Sequence, residues 1–456
     1  RTEKVRGGEI ISRILAAEGV DKVFGIIDGT YFGMYATFAA NGIDLITPRH
    51  EACAVHMAGA YARLTGRLGV CMASNGPGVA NAISGVAVEN AEGNRVLLIT
   101  SSRREGIAYP DRGGTFQYFP QVEVIRPMAK WSVAVPTFDR VAELTRQALR
   151  ECWSGRPGVV HLDVPESVMN SSHEVDPSWF RDAGSSRLSR PQQPGAADLQ
   201  EAVDLLCSAA RPMIHAGSGV LHAGAYDALR EVAEALGAPV TTSWGARAVI
   251  DERHPLSVGM PYVNAQRKAR CESDAVLVVG SRLGETDFWG KAPYWARPEA
   301  QKLIQVDLET APLGNNRPVD LAIQADAGAF LSALAEALRA RRFSPERQAR
   351  ESWLAELRKV CKERRKGLDK HLAKKTVPMH PAHVAGACQR VLGDDAVLVV
   401  DGGNTSIWAH FFHQVRTPNT ILGTAKMGML GAGVSQTIAA KVARPEVNVA
   451  CIIGDG

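Results

Sequence analysis

The sequence offers little for covalent bridging: eight cysteines in 456 residues, none in a Cys-x-x-Cys pair. Their scatter (Cys53, Cys71, Cys152, Cys207, Cys271, Cys361, Cys388, Cys451) argues against zinc sites, redox dithiols and a disulfide framework, and leaves them as reduced, mostly core residues. No run approaches the roughly 18 consecutive apolar residues of a membrane span, and no charged-then-apolar leader precedes the first periodic segment. A cytoplasmic protein without a membrane partner is expected. No internal repeat of about 20 to 50 residues is visible, which excludes solenoids and propellers. Large charge imbalance is absent as well, the formal net charge being +4. The positive excess is local: residues 339–375 hold fourteen Lys/Arg against five Asp/Glu, so the remainder is net negative and nucleic acid is not an expected partner. Within that stretch (Arg339, Arg341, Arg342, Arg347, Arg350, then 358–375) Leu354, Leu357, Val360, Leu368 and Leu372 recur near helical spacing, which reads as a solvated linker helix.

What is present, 45% hydrophobic and 22% charged residues over 456 positions, suits two or three globular domains. From residue 9 to 166 helical patterns alternate with short β-branched runs. Strands are expected at 22–27, 44–48, 68–73, 95–100 and 159–164, and helices at 8–18, 34–41, 51–66, 79–91 and 141–153. Such alternation with short connections predicts an α/β fold with a mostly parallel sheet covered on both faces. A polar, Pro- and Gly-containing linker follows at 183–197. The second α/β domain, 198–338, has strands at 212–216, 239–242, 275–279, 302–306 and 321–324. The basic helical linker, 339–376, leads to a third segment, 377–456, with strands at 396–400, 420–422 and 447–453. That segment stops directly after a strand, so a shortened third domain is expected.

Chemistry concentrates in a few stretches. In Arg49-His50-Glu51, a carboxylate stands at a strand-to-helix junction beside Ala52, Ala54, Val55 and Met57. A Glu there can simply complement the helix dipole; alternatively, apolar surroundings favour the protonated form of a carboxyl group and equip it for proton work. Downstream, Leu68–Ala73 gives way to Gly76-Pro77-Gly78 and then Asn81: a strand, a tight turn and a helix start whose amides can hold an anion.

The conjunction of Arg49-His50-Glu51, the helix carrying Ala58-Gly59-Ala60-Tyr61-Ala62-Arg63, and Gly76-Pro77-Gly78 before Asn81 resembles the thiamine-diphosphate-dependent enzyme superfamily. The similarity is to its acetolactate synthase and 2-hydroxyacyl-CoA lyase (oxalyl-CoA decarboxylase-like) branches. Phe116-Gln117, residues 155–165, Ile304–Asp307, Gly403-Asn404-Thr405, Gly431-Ala432-Gly433 and Gly454-Asp455-Gly456 extend it over the chain. The resemblance implies three doubly wound parallel-sheet domains: pyrimidine-binding (1–182), central nucleotide-binding-like (198–338) and diphosphate-binding (377–456). It also implies thiamine diphosphate and Mg²⁺ as cofactors. Glu51 would share a proton with N1′ of the aminopyrimidine, so that the exocyclic nitrogen can take the C2 proton. Pro77, Gly78, Asn81, Gly403, Asn404, Thr405, Met429, Leu430, Gly454, Asp455 and Gly456 would hold the cofactor, with Leu430 as the apolar wedge that bends it and Asp455 as a metal ligand. Gln117 would join Glu51 in catalysis, and Asp28, Tyr31, Phe116 and Tyr118 would face the substrate. Gly25–Phe32 departs from the loops of both branches at Asp28 and Tyr31, which leaves acyl specificity open. In the central domain Gly217, Ser218, Gly219, Arg282, Asp307 and Asp326, together with Arg156 of the first domain, would bind ADP or FAD.

The expected reaction is carbon–carbon bond cleavage or formation on 2-hydroxyacyl-CoA or 2-oxoacid substrates through a thiamine ylide and an enamine. An acetolactate-synthase-type carboligation of 2-oxoacids is the alternative, and a homodimer or homotetramer is implied. Two other classes compete: a non-catalytic nucleotide-binding homologue, which retention of Glu51 and Asp455 disfavours, and a flavin or nicotinamide oxidoreductase. The latter lacks support because His222 stands where a Gly-x-Gly-x-x-Gly motif needs its third glycine.

Overall fold

The computed structural model describes residues 2–108, 110–247, 249–341 and 347–455. The chain forms two compact units, residues 1–189 with 426–446, and residues 190–425 with 447–456.

In the first unit the chain runs β1 (Glu3–Arg6), α1 (Gly7–Ala17), β2 (Lys22–Gly25), α2 (Phe32–Tyr35), β3 (Asp44–Ile46), α3 (Glu51–Thr65), β4 (Gly69–Ala73), α4 (Pro77–Glu92) and β5 (Val96–Ser102). It continues through α5 (Gln121–Ile125), β6 (Trp131–Ala134), α6 (Val141–Trp153), β7 (Val159–Pro165), α7 (Glu166–Asn170) and β8 (Ser172–Val175). Six strands form a wholly parallel sheet in the order β3-β2-β4-β5-β7-β6. Its central strands are near-continuous apolar runs, as burial on both faces requires; Val23, Val70, Leu97, Ile99 and Leu162 pack with Ile10, Ile11 and Leu15 of α1. β1 and β8 pair antiparallel in a separate ribbon. The helix expected over 34–41 is broken. Asp28 caps an earlier start by accepting from the Thr30 N–H, two 3₁₀ turns at Gly29–Tyr31 and Ala39–Asn41 flank the single turn of α2, and Gly42 ends the segment at φ 71°.

The second unit carries α8 (Ala196–Ser208), β9 (Pro212–Ala216), α9 (Ser218–His222), α10 (Tyr226–Leu236), β10 (Val240–Thr242), α11 (Val263–Glu272), β11 (Ala275–Val279), β12 (Lys302–Asp307), β13 (Leu321–Gln324) and α12 (Ala327–Arg339). Then come α13 (Arg347–Leu372), α14 (Ala382–Val391), β14 (Val397–Val400), α15 (Asn404–Phe412) and β15 (Ile421–Gly423). α16 (Ala432–Ala443) belongs to the first unit and β16 (Val449–Ile452) to the second. The second unit holds two parallel sheets, β10-β9-β11-β12-β13 and β15-β14-β16. α13 is not merely solvated: Trp353, Leu354, Leu357 and Leu368 are buried, and the Arg350 guanidinium donates to the carbonyls of Ala209, Leu236, Leu206 and Cys207. The basic residues Arg341 and Arg358 stay exposed, while Arg342 and the Arg347 side chain lie outside the described residues.

All eight cysteines are free thiols, Cys71 and Cys152 buried. Among the described residues no helix is long and apolar enough to cross a membrane.

Strand order reverses between β2 and β4, between β9 and β11 and between β14 and β16, and a second time at the β7-β6 edge of the first sheet. In open α/β sheets ligands bind beyond the carboxyl ends of the strands at such reversals. The glycine-bearing segments singled out in the sequence follow those strands: Gly76-Pro77-Gly78 follows β4, Gly217 and Gly280 follow β9 and β11, and Gly403 and Gly454 follow β14 and β16.

Candidate active site

At the first reversal Glu51 is the first residue of α3. His50 precedes it as N-cap, its Nδ1 accepting from the Ala52 N–H at 3.2 Å. The positive end of the helix suits a carboxylate, and Glu51 is half-buried rather than enclosed. Its Oε2 accepts from Asn81 Nδ2 at 3.0 Å across the first turn of α4. Gly78 supplies the clearance beside its other oxygen: a Cβ at 78 would stand 3.3 Å from Glu51 Oε1 and 2.7 Å from Ser74 Oγ. On the far side of the same turn Gly76, at φ 68°, is pressed against Gln117, where an added Cβ would meet the Gln117 carbonyl oxygen at 2.6 Å. Pro77 occupies the first position of α4, where its missing N–H costs nothing. One tight turn therefore has Glu51 against one glycine and Gln117 against the other.

α3 reaches this position because it packs tightly against α4 and α16. Small residues permit that approach: a Cβ at Gly85 would stand 2.7 Å from Val55 Cβ, and one at Gly59 only 1.8 Å from Glu89 Oε2. Glu89 is fully buried, its Oε1 paired at 2.7 Å with His56 Nδ1 and its Oε2 accepting from Asn94 Nδ2 at 2.6 Å. Glu92 accepts from the Lys426 backbone N–H at 2.6 Å, and burial pushes its carboxyl up to about 7 in spite of that bond. Just before α16, Leu430 is 53% exposed, an apolar side chain available to a ligand, with Met429 half-buried beside it.

Of the residues expected at the substrate, Phe116 is 72% exposed and Gln117 is exposed, with Tyr118 half-buried in the same loop. Tyr31 corrects its expectation: it is fully buried, packs edge-on against Tyr35, and its hydroxyl donates to the Ile26 carbonyl, so it cannot meet a substrate without unpacking the core. Asp28 is committed to Thr30, its Oδ2 accepting from the backbone N–H at 2.9 Å and from Oγ1 at 2.5 Å.

In the second unit, Gly403 (φ 78°) caps α15, whose first residues are Asn404 and Thr405. β14 pairs directly with β16, so Gly454 and Asp455 emerge beside that helix start, and a Cβ at Gly454 would stand 3.2 Å from Thr405 Oγ1. Helix amides and an exposed carboxylate at one sheet edge fit a diphosphate with a divalent cation, whose remaining ligands would be diphosphate oxygens. Among the described residues no cluster of three or more His, Cys, Asp or Glu could by itself hold a metal. Gly456 lies outside the described residues.

The residues of the second unit expected at a nucleotide follow or end β9, β11, β12 and β13. Gly217 and Gly219 meet the Gly280 backbone, with added Cβ atoms at 2.1 and 2.7 Å, so their missing side chains serve loop-to-loop packing. Asp326 caps α12 through the Gly328 and Ala329 N–H groups. Asp307 accepts from the Glu309 N–H at 3.0 Å, with burial raising its pKa. Arg282 is exposed, with Ser218 half-buried at the start of α9. Arg156 belongs to the other unit, where its guanidinium donates to the carbonyls of Asn90 and Ala91 near the end of α4.

Sequence reasoning missed the buried polar groups beneath the turn. Asp163, at the end of β7, accepts from Thr100 Oγ1 and Gln121 Nε2, both at 2.5 Å, and burial pushes its carboxyl up to about 7. His161 lies between Thr100 Oγ1 and Ser132 Oγ, its pKa driven down to about 3 by burial. Polar residues inside a β-branched run were the available signal.

Comparison with known proteins bears on the family. The family description "Thiamine pyrophosphate enzyme, N-terminal TPP binding domain" matches residues 5–124, the corresponding central domain 199–334, and the C-terminal TPP binding domain 401–456. The acetolactate synthase of Mycobacterium bovis is 30% identical over 468 residues, covering 100% of this chain and 72% of its own. Probable acetolactate synthase large subunits of Methanocaldococcus jannaschii and Methanococcus aeolicus are 29% and 28% identical, each alignment covering 99% of this chain and 76% of the relative. The chain belongs to the thiamine-diphosphate-dependent enzyme superfamily, as a close relative of acetolactate synthase large subunits.

Proposed function

We propose that this enzyme joins two 2-oxoacids in an acetolactate-synthase-type carboligation, the second of the two reactions considered from the sequence. The relatives support it over a 2-hydroxyacyl-CoA lyase, since they are an acetolactate synthase and two probable acetolactate synthase large subunits. The observation that carries the reading is the half-buried Glu51 carboxylate, oriented through Oε2 by Asn81 while Gly78 leaves room beside Oε1. In balance, one 2-oxoacid loses its carboxyl group as CO₂, and its acyl carbon forms a new bond to the carbonyl carbon of the second, whose oxygen is protonated.

Thiamine diphosphate, when bound, supplies the carbanion that adds to the first carbonyl and accepts the electrons of the breaking bond. Glu51 would hold a proton at N1′ of its pyrimidine ring. Asn81 keeps that carboxyl from rotating away by donating to Oε2. Leu430 would offer an apolar side chain to the cofactor, and the start of α15 with Asp455 would hold a diphosphate and a Mg²⁺ ion. Gln117 faces the acceptor and orients its carbonyl or carboxylate by hydrogen bonding. A homodimer is part of the proposal: Val434 and Ile438, one turn apart on α16, are 54% and 47% exposed, apolar surface that a second copy would cover.

The test offers the protein, with thiamine diphosphate and Mg²⁺, pyruvate, oxalyl-CoA and a 2-hydroxyacyl-CoA in parallel, with products read by mass spectrometry. Pyruvate should yield CO₂ and a carboligated product while the CoA thioesters remain. Turnover of a thioester alone would replace this reading with the lyase.

A further inference from the structure

Gln117 stands in the left-handed region at φ 52°, a conformation that a non-glycine residue adopts when its surroundings hold it there. The nearest hold is Asn75. Its Nδ2 donates to the Gln117 carbonyl at 3.1 Å, and Gly76, next in the chain, lies against the same carbonyl. Asn75 is 2% exposed, and its Oδ1 is buried with no hydrogen-bond partner among the described residues. A purely structural asparagine satisfies both ends of its amide; this one satisfies only the end turned to Gln117. Burying the unpaired oxygen is costly, and an apolar residue of similar size would avoid it.

Asn75 is itself fixed from beneath. Its backbone N–H donates to Ser101 Oγ at 2.9 Å, and Ser101 Oγ lies 2.6 Å from Thr30 Oγ1, which is bonded to Asp28. Gln121 Nε2 donates to the Ser101 carbonyl at 2.7 Å, while its Oε1 accepts from the Gly76 N–H at 3.4 Å. Loops that follow β2 and β4, the end of β5 and the start of α5 thus meet at one serine, and from this network the Asn75 side chain reaches out to Gln117. We propose that Asn75 is a positioning residue: it holds the Gln117 backbone in its left-handed conformation and thereby aims the Gln117 side chain at the acceptor. This rests on the acceptor-facing role given to Gln117 above.

A double-mutant cycle tests it. Asn75→Ala should lower kcat/KM for carboligation about tenfold when Gln117 is present, and by less than about twofold in a Gln117→Gly background, where glycine adopts the conformation freely and no side chain remains to aim. Independent of activity, Asn75→Ala should speed tryptic cleavage after Arg112 severalfold while the melting temperature stays near that of the parent. Equal losses in both backgrounds, or unchanged cleavage, would overturn the assignment. If Asn75→Ala fails to fold, Asn75→Ser, too short to reach the carbonyl, takes its place in the same cycle. Should the parent turn over no 2-oxoacid, the proposed function fails by itself, and the cleavage rate alone decides whether Asn75 clamps Gln117.

Discussion

Asp163 shows how far a single buried group can tie stability to pH. Its folded-state pKa, about 7 through burial, exceeds the roughly 3.9 of an unfolded aspartate. The folded state therefore binds the extra proton between these values, and the stability present below pH 4 is lost as pH rises through 7. Asp163→Asn keeps an acceptor for Thr100 and Gln121 yet cannot ionise. Denaturant titrations should show the variant gaining on the parent by about 1 to 3 kcal/mol between pH 4 and pH 7.5; a constant difference would show that Asp163 does not titrate in that window. Gly59 makes a steric counterpart. Its Cβ would fall 1.8 Å from the carboxylate that binds His56 and Asn94, so Gly59→Ala should cost about 2 to 4 kcal/mol by displacing a buried, paired charge. From sequence alone Glu89 reads as an ordinary exposed glutamate of α4, because its partners lie 33 positions upstream and five downstream.

Among the elements, most parallel strands of the first unit and its helices α1, α3, α4 and α6 were legible because burial shows in composition: apolar runs for β4, β5 and β7, an apolar stripe for α1 and α6. The ribbon of β1 and β8 was not, since Glu3–Arg6 and Ser172–Val175 each bury only one residue. β6 escaped for a related reason, its burial alternating weakly at the sheet edge. α13 was legible as a helix but not as a packed one. Its basicity hides Arg350, whose guanidinium serves carbonyls near the ends of α8 and α10. Arg350→Met should therefore destabilise the protein by about 2 to 4 kcal/mol, with several buried carbonyls left unpaired. Arg358→Met on the exposed face should stay within about 0.5 kcal/mol. Equal effects in thermal melts would contradict the distinction. At the site, Glu51 and the glycine turn could be read from local spacing, whereas Asn75–Gln117 and Gln121–Asp163 join residues 42 positions apart, which no local pattern encodes.

For the whole molecule, each of the three family descriptions covers the loops after the strands at one switch point. Exposed Val434 and Ile438 predict association, and light scattering should give at least twice the mass of one chain; Val434→Asp with Ile438→Asp should shift that toward the monomer. Underneath every step of the proposed reaction is one proton held by residue 51. Initial rates of ¹⁴CO₂ release from [1-¹⁴C]pyruvate, comparing Glu51→Gln with the parent at saturating thiamine diphosphate and Mg²⁺, test that claim most directly. A fall of about a hundredfold or more in kcat, with the melting temperature unchanged, is the predicted result, and a Gln variant as fast as the parent would contradict it.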